Sequence, residues 1–459
     1  MRVCHVKSAC FDDPNLVSTA GLVPVMALAQ RAGLAGLVAE HVSVPGSAGA
    51  HAPGKVAAVV AGMVAGADSF EDLTVLRHGA MGRLLAGAPA PTTLGTHLRA
   101  YAFGHVRQLD AVASRVLANL AAMTPVLDGV EPVAWIDVDD TIKAMHGYAQ
   151  QGVAYGYCKV KGLNAQLAVL STPLAAPVIA GVRLRKGNVA SAHGAPRLIA
   201  DAVATARRCG AGRMVTVRAD SAYYQRPVVA AARAAGARFS ITARSNPQIT
   251  KAIASIDPQA WTAIKYPHAV FDELAGGWVS DAAVAEVPAF TAFTSRPKAQ
   301  QVTARLIVRR VKRLNPAAGA GQGELFDTYR YHAVFTDSAE TMLDAEAHHR
   351  DHAIVEQVIA DLKNGPLAHL PSGVFTANAA WTTLATIAFN LTRAAATLAG
   401  RAHARATTAT IRRRLIHVAA RVVTSARRLH LHLPQTWPWA AGFTALFEAT
   451  CGPPPAAST

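Results

Sequence analysis

The sequence predicts an α/β protein, a mixed sheet flanked by helices, with an all-helical region before it and a β-rich insertion within it. Three observations carry that prediction. Near Pro132 an Ala- and Leu-rich helical texture gives way to strand patterns; the next segment reads β-β-β-α-β-α-β; and helical periodicity returns at TMLDAEAHHRDHAIVEQVIADLKNG.

Taken in order, residues 1–130 read as a helical N-terminal DNA-binding region. LVPVMALAQRAGLAGLVAEHV (Leu22 to Val42) fits a helix, a turn at Gly33 and a second helix, either a helix-turn-helix reader or an ordinary packed helical hairpin. Residues 131–245 read as the first part of the mixed-sheet domain. Three strands around Val133–Ile142, Tyr155–Thr172 and Ala176–Gly187 make a meander. A helix between Gly194 and Gly210, a buried strand at Arg213–Asp220, a helix opening at Pro227 and a strand at Arg238–Ala243 supply two parallel crossovers. Residues 246–344 read as the β-rich insertion, with a turn at GAGQGELF, and 345–400 as the last part of the mixed-sheet domain. Residues 401–459 read as a basic helical region carrying Arg412, Arg413, Arg414, Arg421, Arg427 and Arg428, ending in an unstructured tail. The apolar stretches at Val56–Ala65 and Trp381–Ala388 are too short to span a bilayer and read as core helices.

Composition narrows the partners. Apolar residues make up 51% of the 459-residue chain, which excludes global disorder. A net charge of +16 and a pI near 10.0 point to a polyanion, with nucleic acid first. The five cysteines show no zinc spacing, and the N-terminus has no signal-peptide pattern, so a cytoplasmic protein with reduced thiols and no membrane is expected.

Chemistry is suggested by acids in costly places. In WIDVDD, alternation puts Trp135, Asp137 and Asp139 on one face and Asp140 on the other, and carboxylates in an apolar strand demand a cation or hydrogen bonds. Asp220 closes the strand MVTVRAD, at the carboxyl end where α/β sheets place their sites. If the first and fourth strands are neighbours, the two acids face one metal. Glu356 lies on the returning helix among Ala353, Ile354, Ile359 and Leu362, with Lys363 two turns on. Three oxygen donors from separate elements suit two hard ions, Mg²⁺ or Mn²⁺, which serve phosphodiester displacement. The structural alternatives are loop hydrogen bonds, a turn cap at Asp220 and a solvated Glu356. Likewise His348, His349 and His352 have a spacing that admits a zinc site.

The stretches WIDVDDTIKAMHGYAQQGVAYGYCKVKGLNAQLAV, LRKGN, VRADSAYY, HAIVEQVIADLKNGPLAHLPSG and FNLTRAA resemble bacterial insertion-sequence transposases of the DDE type, nearest to "transposase DDE domain group 1". The resemblance implies an RNase H-like catalytic domain with Asp139, Asp220 and Glu356 as catalytic metal ligands. Asp137 and Asp140 remain alternatives for the first ligand. It implies an endonuclease and strand-transfer enzyme for cut-and-paste transposition. Its partners would be the terminal inverted repeats and target DNA, with a dimer assembling on DNA in the bacterial nucleoid. Relatives carry a Tyr-x2-Arg-x3-Glu-x6-Lys signature; here Glu356 and Lys363 keep the spacing, while His349 and His352 replace Tyr and Arg, which puts a hairpin intermediate in doubt. Arg183, Arg185, Lys186, Arg412, Arg413 and Arg414 are the candidate DNA-backbone contacts. The competing readings are a catalytically silent repressor with the same fold and a host nuclease that never joins strands.

Overall fold

A computed structural model of the chain describes residues 7–147, 149–264, 271–272, 277–278, 282–312 and 329–452. The turn expected at GAGQGELF and most of the C-terminal tail lie outside them. The chain divides into two compact units: Met1–Leu127 with Lys143–Val153 and Ala360–Thr459, and Asp128–Ile142 with Ala154–Ile359.

The second unit is built on a mixed sheet. Its first five long strands are β1 (Ala134–Ala144), β2 (Lys161–Ser171), β3 (Val178–Lys186), β4 (Val215–Ala219) and β5 (Arg238–Thr242), and they lie in the order β3-β2-β1-β4-β5. The β2–β3 pair is antiparallel, while β1–β4 and β4–β5 are parallel, as the short meander turns and the two helical crossovers require. The crossover helices are α1 (Ala195–Arg208) and α2 (Arg226–Ala234); Gly194 and Gly210, at φ +78° and +96°, bracket α1 in a conformation that a side chain would resist.

Residues 246–344 do form strands: β6 (Thr262–Ile264), β7 (Ala282–Ala292), β8 (Val302–Lys312) and β9 (Tyr329–Thr336). These strands extend the same sheet, because β9 pairs antiparallel with β5 and the order runs on as β9-β8-β7-β6. Alternation along β5 sends Phe239 toward Arg233 of α2, and sends Ser240 and Thr242 toward α3 (Met342–Arg350). Helices therefore cover both faces. The helix expected without interruption from Thr341 to Gly365 is broken: a 3₁₀ turn, Asp351–Ala353, separates α3 from α4 (Ile354–Lys363).

The first unit is mainly helical. Its centre is the helix Phe375–Leu398, buried on nearly every side from Ala377 to Ala396, as an all-round apolar helix must be. Its threonines are satisfied internally; Thr382 and Thr392 donate to the carbonyls of Asn378 and Ala388 at 2.8 and 2.7 Å. Ala52–Ala65 packs beside it, so both short apolar stretches are core helices. Among the described residues no single helix is long and apolar enough to cross a membrane.

Two expectations change here. Leu22–Arg31 and Leu34–His41 meet at Gly33 with a bend of 50°, well short of the ~90–120° of a helix-turn-helix. That bend is also far from the reversal of a helical hairpin, and the exposed face of the second helix holds Ala35, Gly36, Ala39 and Glu40 and no Lys or Arg. Secondly, the basic helix expected through Arg428 stops at Ile416. Ala420–Ser425 and Arg428–His432 instead make an antiparallel hairpin, joined to Leu16–Val17, with Ala426 and Arg427 at φ +46° and +64° in its two-residue turn. Positive φ at both central residues is the mark of a type I′ turn, and its usual Asn-Gly signal is absent at Ala426-Arg427.

Candidate active site

The sheet register sets the candidate residues in rows. Asp137 of β1, Arg218 of β4 and Ser240 of β5 are successive partners across the sheet. The ladder ends at Val138 and Ala219, and the residues that follow them are Asp139 and Asp220, near enough for the Asp220 charge to act on Asp139. Partners in a parallel ladder share a face, so the adjacency expected of the first and fourth strands holds.

The row at Asp137 is closed. Arg218 Nε and Nη2 donate to the two carboxylate oxygens at 2.6 and 2.7 Å, in the planar two-pronged geometry suited to a guanidinium. Exposures of 2% for Arg218 and 0% for Asp137 make this a dry ion pair. His352 Nδ1 donates to the same carboxylate at 3.0 Å, Ser171 approaches at 3.4 Å, and Arg218 Nη1 reaches the His348 carbonyl. Burial alone would raise Asp137, but the Arg218 charge and the His352 and Arg218 hydrogen bonds outweigh it and hold the carboxyl below the usual range. Asp137 is a structural anchor.

Asp140 is closed on the opposite face. Asn164 Nδ2 donates to it, the Tyr223 hydroxyl donates at 3.0 Å, and Arg185 Nη2 lies 3.1 Å away. Arg185 also binds the Asn164 side chain and the carbonyls of Ala190, Ser191 and His193, so this candidate DNA contact is committed to the protein interior.

Among the described residues, Asp139 has no such partner. The half-buried Asp139 accepts from the backbone N–H of Asp140 at 2.7 Å. Burial, with the charges of Asp220 and Asp140 added, pushes its carboxyl up to about 6 against the pull of that hydrogen bond and His352. Asp220, at the solvent end of β4, caps the short turn Ser221–Tyr223 through Ala222 N–H at 3.0 Å. Partial desolvation and the Asp140 charge raise it as well, with the Ala222 bond and His352 opposing. Two neighbouring acids that hold protons too tightly, with no cation salt-bridged to either among the described residues, have the chemistry of an oxygen-donor site for a hard divalent ion.

The histidines separate into three roles. His349 is buried between the hydroxyls of Ser240 and Thr242, each 2.9 Å from one ring nitrogen; burial first, then the nearby cations, push it down to about 3. It is therefore neutral and shut away from any phosphate. His348 holds Glu340 at 2.8 Å, and His352 holds Asp137, so the three rings serve separate partners rather than one zinc ion. His352 also lies close enough to Asp139 and Asp220 for its charge to draw both carboxyls down.

Glu356 follows His352 by four residues, one turn along the chain, and its side chain is exposed. Among the described residues no three His, Cys, Asp or Glu side chains gather closely enough to hold a metal, so the third acid is not drawn in beside the pair. Lys363, at the end of α4, is half-buried. Of the remaining candidates, Arg183 is tied to Asp201 at 2.6 Å and Lys186 is exposed. Arg412 is a core residue donating to the Asn364 carbonyl at 3.2 Å, Arg413 is exposed, and Arg414 lies over the Trp439 ring at 5.3 Å.

Sequence reasoning missed Arg218 and Tyr157. An arginine inside an apolar strand, two residues before Asp220, was the available signal for the first. Tyr157 is 76% exposed, and desolvation together with the charges of Asp140, Asp139 and Asp220 raises its phenol, which puts it beside the open acids. A search of curated proteins finds no match to this chain. One family model does match, and it spans nearly the whole sequence: the alignment runs from residue 4 to residue 450 under the description transposase DDE domain group 1, and the chain belongs to that family.

Proposed function

We propose that this protein is a cut-and-paste DNA transposase that binds the terminal inverted repeats of its own insertion sequence, cleaves the phosphodiester bonds there and transfers the 3′ ends to target DNA. Family membership implies polynucleotidyl transferase and nuclease chemistry on DNA. The observation that carries the reading is the closeness of Asp139, midway along β1 where its ladder with β4 ends, to Asp220, just past the carboxyl end of β4, with no cation salt-bridged to either among the described residues. The order β3-β2-β1-β4-β5, a meander followed by two parallel crossovers, supports an RNase H-like catalytic domain.

The donor set fits Mg²⁺ or Mn²⁺. Asp139 and Asp220 would hold two ions, with Glu356 swinging in from α4 as the third ligand once DNA fills the site. Bound there, the ions would supply Lewis acidity for in-line displacement at phosphorus. The chain's own groups do the positioning. Arg218 fixes Asp137, Asp137 orients His352, and His352 offers its ring toward the phosphate in place of the signature arginine. Tyr157 and the exposed Lys186 and Arg413 would contact the DNA backbone. Two ends must be processed together, so a dimer on DNA belongs to this reading.

The test uses inverted-repeat DNA from the flanks of the coding region. Wild type should nick and join it with Mg²⁺, whereas Asp139→Ala, Asp220→Ala and Glu356→Ala should bind it without cutting; normal cutting by all three would defeat the proposal. The exposure of Glu356 favours a second reading, a DNA-binding repressor with a silent site. Binding without any cleavage by the wild type in Mg²⁺ or Mn²⁺ would select it.

A further inference from the structure

The hairpin 420–432 has no role in the chemistry above. Every residue from Val423 to His430 is exposed, so its outer half stands in solvent on both faces. Cross-strand partners share a face, and the partners Arg421 with His432, Val423 with His430 and Ser425 with Arg428 gather the cationic and imidazole groups on one side. The other side carries Val422 with Leu431 and Thr424 with Leu429. Arg427 occupies the tip, held there by a turn in which neither central residue is the glycine that such φ values favour. The charge is one-signed over a long stretch: between Asp361 and Glu448 the chain has ten Lys or Arg and no carboxylate. At the base of the hairpin an open cleft of about 660 Å³ is lined by Asn15, Arg83, Thr424, Arg421 and His432. Arg83 is exposed and braces Asn15 and Thr424 at 2.7 and 2.6 Å; Arg421, 61% exposed, lies 3.6 Å from Asp13.

We propose that this hairpin is a DNA-reading ribbon that enters the major groove of double-stranded DNA, with Arg427 and Arg428 at its leading end and Arg421 and Arg83 against the flanking phosphates. A two-stranded ribbon fits a groove ~12 Å wide, and the absence of acids from residues 420–432 leaves its outer half, beyond Asp13 at the base, free of charge that would repel a polyanion. The inference rests on the reading of this chain as a DNA enzyme and adds the surface that grips the duplex.

The experiment measures binding of the full-length protein to a labelled random-sequence duplex across a salt series, beside single-stranded DNA and polyglutamate. Arg427→Ala with Arg428→Ala should weaken duplex binding about tenfold or more and make the slope of log affinity against log salt shallower by about two, with unfolding temperature unchanged. Arg427→Lys with Arg428→Lys should keep the salt slope. Ala426→Asn with Arg427→Gly relaxes the turn and should raise the unfolding temperature while weakening binding, which separates folding from recognition. Wild-type affinity and slope in the double alanine variant would overturn the ribbon. So would equal losses on duplex, single strand and polyglutamate, or a change in oligomeric state with duplex affinity intact, which would make the free edge a contact between copies. A wild type that ignores duplex DNA would sink the DNA-enzyme reading and the ribbon together; wild-type binding with unaltered variants sinks the ribbon alone.

Discussion

Asp137 and Asp139 share one strand and one face, two residues apart, yet their surroundings pull them in opposite directions. Arg218 and His352 close around Asp137 and hold it ionised in a dry interior. Asp139 lies near Asp220 just beyond the last pair of the ladder, and burial with its neighbours' charge raises it to about 6. Asp140, on the reverse face, is closed like Asp137, by Arg185, Asn164 and Tyr223. A carboxylate matched by the protein's own cations builds the fold; one left unmatched where the ladder ends has the chemistry that a metal or a phosphate site uses.

The largest effect expected from this contrast is on catalysis. Asp139→Asn should cost at least about a thousandfold in DNA cleavage, the several kcal/mol that metal-assisted charge stabilisation supplies, and leave the fold intact. Cleavage rates beside a thermal melt check it, and retained cleavage would break the contrast. Asp137→Ala should do the reverse in kind. It strands the buried Arg218 charge and should cost about 3–5 kcal/mol of stability, read by denaturant unfolding. A mild loss there would mean that Asp137 is no anchor.

The smallest effect concerns pH without metal. Asp139 has its folded pKa above the usual 3.8, so the native state keeps a proton that the unfolded chain releases. Stability should therefore fall as pH rises from about 4 to about 6 and then level off, by ~1–3 kcal/mol. Asp139→Asn should remove that fall, in melts run in EDTA. Asp137, lowered in the fold, has the opposite sign: its contribution is present above the unfolded pKa and is lost as pH drops through the lower folded value.

Much of this was legible in the sequence. The strands β1 to β5 announced themselves through apolar runs, and the glycines around α1 marked its ends. Because the crossovers made β1 and β4 parallel neighbours, the meeting of Asp139 with Asp220 could be anticipated. Which aspartate of WIDVDD is open could not, since that depends on Arg218 and Arg185 arriving from other strands in a particular register. Histidine roles were hidden for the same reason: His349 and His352 lie three residues apart, but one meets hydroxyls of β5 and the other a carboxylate of β1. The 420–432 hairpin was misread because Ala and Arg are strong helix formers, and packing overrode that propensity. Strands 246–344 were seen as strands, but only the β9–β5 pairing tells that they widen the same sheet.

The most direct test of the central claim is calorimetric titration of Mn²⁺ into metal-free protein near pH 6, in two buffers of different ionisation heat. The account predicts saturable binding that expels protons, and loss of both the heat and the proton release in Asp139→Asn and Asp220→Asn. Absence of binding in the wild type, or binding undiminished in those variants, would contradict it.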